Sequence, residues 1–129
     1  VLSFMIFDKS IPIYIQISEY IKSNIINGKL KSGEKLPSIR KLANELRVNI
    51  NTVSRAYYEL KLDEIIYVER KGLGYFVTSN NYIINKLKLD SLEKITEIFI
   101  NNIINLRFSN DEIIYMVKQR MINNNSTIH

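Results

Sequence analysis

The stretch Leu36-Pro37-Ser38-Ile39-Arg40-Lys41-Leu42-Ala43-Asn44-Glu45-Leu46-Arg47-Val48-Asn49-Ile50-Asn51-Thr52-Val53-Ser54-Arg55-Ala56-Tyr57-Tyr58-Glu59-Leu60 decides how this chain folds. Ile39, Leu42, Ala43 and Leu46 fall at i, i+3, i+4 and i+7, and Val53, Ala56, Tyr57 and Leu60 repeat that spacing. Each set is one apolar stripe along a helix. Arg47-Val48-Asn49 breaks the pattern between them, and Ser38 and Asn49 are residue types that cap helix N-termini. Two short helices joined by a turn of roughly three to four residues cross steeply around a shared core. Val48 is the apolar plug in that turn.

Upstream, Pro12 suits the first position of a helix, where its missing N–H costs nothing. Ile13, Ile17, Tyr20, Ile21 and Ile25 follow at helical spacing, and Asn27-Gly28 ends the run. Residues 30–35 form a loop containing Gly33. Downstream, Ile65-Ile66-Tyr67-Val68-Glu69 and Tyr75-Phe76-Val77-Thr78 are rich in strand formers. Arg70-Lys71-Gly72-Leu73-Gly74 between them has two glycines for a tight reversal. Three helices ending in a β-hairpin make a winged helix-turn-helix over residues 8–79. The expected class is α+β, mainly α.

Ser79-Asn80-Asn81 is a polar break, after which residues 82–106 carry Leu92, Ile95, Ile98, Phe99, Ile103 and Leu106 on one broad face. Ser109-Asn110-Asp111-Glu112 has the form of a capping box, and Ile113, Ile114, Val117 and Met121 continue as an amphipathic helix. Two helices with a wide apolar face cannot bury it alone. Residues 80–123 are therefore expected to pair two copies of the chain through Leu92, Ile95, Phe99, Ile103, Leu106, Ile114 and Val117. Folding back onto the winged domain is the alternative. Residues 124–129, mostly Asn, Ser and Thr, are expected to be disordered.

Composition narrows the chemistry. The 129 residues leave room for one ordinary domain, or a small one with an appendage. A 46% hydrophobic and 24% charged composition is that of a folded globular chain. Cysteine is absent and the lone histidine is the terminal His129, so nucleophilic and metal-dependent catalysis lack their usual carriers. Neither an enzyme nor a cofactor is expected. No apolar run is long enough to span a bilayer. The apolar opening Val1-Leu2-Ser3-Phe4-Met5-Ile6-Phe7 has neither a preceding basic residue nor a cleavage site. A start at Met5 instead of Val1 stays open, and a cytoplasmic address is expected.

The net charge of +5 is unevenly placed: residues 1–79 hold twelve basic and eight acidic residues, and residues 80–129 six and five. From position 35 to position 61 there are six basic residues against two acidic ones. A basic excess focused on the two crossing helices is the footprint of nucleic-acid binding. With its stripe buried, the second of those helices leaves Asn51, Thr52, Ser54, Arg55 and Tyr58 to face a major groove about 12 Å wide. Arg40, in the first turn of the other helix, can take a phosphate or a guanine edge. Lys71 and Gly72, at the hairpin tip, offer charge and close backbone approach. An ordinary solvated helix face and an ordinary turn are the competing readings. Double-stranded DNA is the expected partner.

In order and spacing, Pro12-Ile13-Tyr14-Ile15-Gln16-Ile17, Gly28-Lys29-Leu30-Lys31-Ser32-Gly33, Leu36-Pro37-Ser38-Ile39-Arg40-Lys41-Leu42-Ala43, Val48-Asn49-Ile50-Asn51-Thr52-Val53-Ser54-Arg55-Ala56-Tyr57 and Gly72-Leu73-Gly74-Tyr75-Phe76-Val77 resemble the DNA-binding domain of GntR-type transcription regulators. The resemblance covers roughly residues 10–78. It implies DNA contacts by Arg40, by Asn51, Thr52, Ser54 and Arg55, and at Gly72. Three positions depart from the family pattern. Ile50 stands where Arg or Pro is usual, and Arg47 and Glu64 replace frequent glycines, which predicts a left-handed residue at 47 and a shifted wing start at 64. The short tail is similar to that of the YtrA-like branch, whose tails serve dimerisation and whose members are often repressors. The resemblance thus implies a homodimer on a pseudo-palindromic operator. A small-molecule effector is left open and unidentified, since residues 80–129 name no ligand. Two other readings remain: a fragment of a regulator fused to an aminotransferase-like domain, and an interaction module that does not bind DNA.

Overall fold

In the computed structural model, residues 5–70 and 72–128 are described. Helix α1 spans Ile13–Ile26, α2 Ile39–Leu46 and α3 Ile50–Leu62, followed by strands β1 (Ile66–Val68) and β2 (Tyr75–Val77). Helix α4 spans Asn81–Ile103, a short 3-10 turn covers Ile104–Leu106, and α5 runs over Asn110–Ile128. The order is that of a winged helix with two further helices.

The caps read from the sequence are in place. Ser38 Oγ accepts from the Lys41 N–H at 3.1 Å, and the Asn49 side chain accepts from the Asn51 N–H at 2.8 Å. Each bond satisfies one of the donors that a helix start leaves unpaired. Pro12 is the cap residue, with φ −53° and ψ 135°, and Ile13 opens the helix. The expectation that Pro12 is the first helical residue shifts by one position.

Helices α2 and α3 end in the same way. Arg47 has φ 57° and ψ 46°; its N–H donates to the Asn44 carbonyl, and the Val48 N–H donates to that of Ala43. Glu64 has φ 61°, with its N–H bonded to the Lys61 carbonyl and the Ile65 N–H to that of Leu60. Both are Schellman closures, in which a left-handed residue recovers orphan carbonyls and the next apolar residue turns inward. Val48 is half-buried against the core and Ile65 is fully buried. The left-handed expectation for Arg47 holds, and Glu64 joins it as the residue that swings the chain into the wing.

The core collects Ile17, Ile21 and Ile25 from α1, Leu42, Ala43 and Leu46 from α2, and Val53, Ala56, Tyr57 and Leu60 from α3. Ile66 and Val77 close it from the hairpin. Ile13 and Ile39, though on the predicted stripes, each open their helix: Ile13 is exposed, and Ile39 is half-buried against the core. Strands β1 and β2 pair antiparallel, Ile66 with Val77, Tyr67 with Phe76 and Val68 with Tyr75. Loop residues 33–36 lie along the other edge of β2. Gly33 N–H donates to the Val77 carbonyl, Val77 N–H to that of Glu34, and Leu36 N–H to that of Tyr75, all within 2.9 Å. The wing is thereby stitched to the segment that leads into α2.

The compact unit containing the winged helix runs through Asp90, and the second unit begins at Ser91. The expected boundary at 79/80 therefore moves into α4, because Ile83, Ile84 and Leu87 pack against the core. In the second unit, Ser109 Oγ accepts from the Glu112 N–H and the Glu112 carboxylate accepts from the Ser109 N–H, both at 3.1 Å. The capping box is reciprocal, and its hydrogen bonds hold the Glu112 carboxyl below the usual range. Helix α5 continues to Ile128, where the sequence predicted disorder from 124 onward. Asn and Ser are weak helix formers but not breakers, and neither Gly nor Pro interrupts the last turns.

A left-handed backbone is strained for glutamate and free for glycine. Replacing Glu64 by Gly should raise the unfolding free energy by about 1 kcal/mol. Thermal denaturation checks this, and an unchanged or lower Tm would contradict the reading of the α3 closure.

Candidate nucleic-acid interface

Around α3, at about 100° per residue, Asn51, Ser54, Arg55 and Tyr58 fall within an arc of roughly 100° opposite the buried stripe. All four are exposed, Tyr58 by 59%, and Thr52, half-exposed, lies about 60° beyond the Arg55 end of the arc. Val53, Ala56, Tyr57 and Leu60 hold the other side at 1% exposure or less. The face presents amide, hydroxyl, guanidinium and phenol groups, a mixture of donors and acceptors suited to base edges and phosphates.

Tyr57 fixes that face from below. Its hydroxyl donates to the Pro37 carbonyl at 2.7 Å, and its ring meets Tyr75 of β2 edge-on at 5.0 Å between centroids. Burial, with Tyr75 and Glu45 adding to it, pushes the phenol well above its usual range, so it stays protonated and donates. One side chain of α3 thus ties the helix to the start of α2 and to the wing.

Arg40 is exposed in the first turn of α2, three positions beyond the carbonyl that Tyr57 holds. Among the described residues the one salt bridge joins Lys22 and Glu19, at 3.5 Å. The charges of Arg40 and Arg55 are therefore not neutralised by a carboxylate. Arg55 makes a different contact: its guanidinium carbon lies 4.0 Å from the centroid of the Tyr14 ring.

At the wing, Gly72 is exposed with φ 90°, and a Cβ there would meet nothing within 4 Å. The open space suits backbone approach to a ligand, and the positive φ explains the glycine. A Cβ on Gly74, at φ 96°, would come within 3.0 Å of Lys35 Cε. The Lys35 side chain thus lies across the wing, a basic residue that the sequence reading left out of the site. Lys71 lies outside the described residues.

Tyr14, which touches Arg55, and Gln16, two positions on in α1, were not singled out by the sequence reading. The Gln16 amide oxygen accepts from the Asp8 N–H at 2.8 Å, and its nitrogen donates to the carbonyls of Asp8 at 2.7 Å and Ile11 at 2.8 Å. This clamps the segment before α1 onto the helix. Their signal was the Pro12–Ile17 motif, which periodicity explains at Ile13 and Ile17 and leaves unexplained at Tyr14 and Gln16.

In the second unit, Leu92, Ile95, Phe99, Leu106, Ile114 and Val117 are exposed and Ile103 is half-exposed. A groove of about 790 Å³ is lined by Phe99, Ile103, Leu106, Phe108, Met116 and Val117, among others. Among the described residues no group of His, Cys, Asp and Glu could hold a metal ion, and no helix is long and apolar enough to cross a membrane.

Residues 13–77 match the family described as bacterial regulatory proteins, gntR family. The HTH-type transcriptional regulator YhcF of Bacillus subtilis is 32% identical over 87% of this chain and 92% of its own length. The HTH-type transcriptional repressor YtrA of the same organism is 45% identical over 55% of this chain, which spans about half (54%) of that relative. Among solved structures, a GntR family transcriptional regulator from Listeria monocytogenes superposes with a TM-score of 0.79 at 42% identity, covering 88% of this chain and 98% of its own. AraR(DBD) in complex with operator ORX1 gives 0.51 at 28% identity, covering 58% of this chain and 92% of its own. These relatives are regulators rather than enzymes. With the family match over half its length, the chain belongs to the GntR family of bacterial transcription regulators, and its resemblance is to the YtrA-like members.

Proposed function

We propose that the protein is a repressor that binds a pseudo-palindromic DNA operator as a homodimer. The observation that carries this reading is the polar, exposed arc of α3, set opposite a fully buried stripe and flanked by arginines that pair with no carboxylate among the described residues. Arg40, Asn51, Thr52, Ser54, Arg55 and Tyr58 form the contact surface, with Gly72 at the wing and Lys71, its neighbour in sequence, as a further candidate. Phosphate contacts supply most of the affinity and make it fall with salt. The operator complex of AraR(DBD), whose fold this chain shares, supports the ligand class. The name of YtrA supports the direction of regulation. Such a protein works in the cytoplasm, where the chromosome is.

The apolar face of residues 91–125 supports the dimer. A two-helix unit with no fully buried side chain among residues 91–125 gains about 25 cal/mol for each Å² of apolar surface that a second copy covers. A two-fold protein then reads two half-sites related by the same symmetry, with centres about 34–36 Å apart or a multiple of that.

Selection of bound sequences from a random duplex pool should return a symmetric consensus. Recovery of no enriched sequence would remove the operator reading. Arg40→Ala should weaken binding to that consensus by about 1–3 kcal/mol and lower the salt slope by about one, with the Tm nearly unchanged. Equal affinity in the two proteins would take Arg40 out of the interface. Phe99→Asp places a charge on the apolar face and should yield a monomer in sedimentation equilibrium, with operator affinity falling alongside. A Phe99→Asp protein that stays dimeric would move the dimer contact elsewhere.

A further inference from the structure

The Tyr14–Arg55 contact joins two elements that other bonds already hold rigid. Tyr14 lies in the first turn of α1, half-buried against the core. The three hydrogen bonds of Gln16 clamp the segment ahead of that turn. The Ser18 hydroxyl, one turn along α1, donates to the carbonyl of Ala56 at 3.4 Å, next to Arg55 on α3. The ring is therefore a fixed platform beside α3, and the 4.0 Å separation is well inside cation–π range.

Stacking engages the face of a guanidinium and leaves its in-plane N–H donors available. Among the described residues those donors meet no hydrogen-bond acceptor and no carboxylate. An exposed arginine normally samples many rotamers, and ordering it on contact with a ligand costs entropy. An arginine already laid on a ring loses less of it. We propose that Tyr14 is a positioning residue for DNA binding: its ring holds the Arg55 guanidinium at the rim of the α3 face, with the N–H edge presented to an acceptor on the duplex. This rests on the DNA-binding reading above and adds α1 to the elements that set affinity.

The test is a double-mutant cycle on the full chain, with fluorescence-anisotropy titration of a labelled duplex carrying the selected consensus. Tyr14→Leu should weaken binding about two- to fivefold, the range of an exposed cation–π contact. Tyr14→Phe keeps the ring and should bind like the wild type. In an Arg55→Ala background, Tyr14→Leu should cause no further loss. Melting curves keep each titration below its Tm, and Tyr14→Met replaces the leucine variant if that one is unfolded at the assay temperature. An equal loss from Tyr14→Leu with and without Arg55 would overturn the proposal, since the ring would then act on its own. A loss in Tyr14→Phe as large as in Tyr14→Leu would also overturn it, by assigning the contact to the hydroxyl. Unchanged affinity in Arg55→Ala would remove Arg55 and its platform together, whereas the Arg40→Ala titration reports separately on whether this face binds DNA.

Discussion

Tyr57 is the residue on which the arrangement of the first unit turns. Its ring is fully buried beneath α3, and its hydroxyl is satisfied by the Pro37 carbonyl at the entry to α2. A buried phenol without a partner is costly, so this bond constrains where the two helices cross. The same ring packs edge-on against Tyr75 of the wing, at 5.0 Å. Helix α3, the start of α2 and strand β2 thus share one side chain. The polar arc of α3, the first turn of α2 and the hairpin are the parts that would meet a duplex. Their mutual setting follows from a contact on the opposite, apolar side.

Two non-glycine residues in left-handed conformation serve the same geometry. Arg47 and Glu64 close α2 and α3 and direct Val48 and Ile65 inward. The hydrogen bonds recovered at each closure and the burial of the following side chain offset the strain at the αL position. Neither residue can be relaxed to a helical conformation without lengthening its helix past the turn that sets the crossing angle.

The two units solve different problems. Through Asp90 the chain has a core of its own, fed by three helices, the hairpin and the first turns of α4. From Ser91 onward the described side chains are exposed or half-exposed, with large apolar groups among them. A capping box and helical periodicity are enough to specify α5 locally, as the reciprocal Ser109–Glu112 bonds illustrate. They do not supply a core. A segment that is well formed in secondary structure yet apolar outside is suited to assembly rather than to standing alone.

Local rules in the sequence determined the two crossing helices, their caps, the turn plug at Val48, the hairpin and the polar arc of α3. Each of these depends on residues within a few positions of one another, as with Ser38 and Lys41 or the stripe from Val53 to Leu60. The tertiary structure alone decided the partners that lie far apart along the chain. It placed Tyr14 beneath Arg55, the Tyr57 hydroxyl on the Pro37 carbonyl and loop residues 33–36 along the edge of β2. It also carried the first unit past the polar break into α4, where Ile83, Ile84 and Leu87 find the core. Periodicity identifies which face of an element is apolar, but which neighbour covers that face is set by packing across the whole domain.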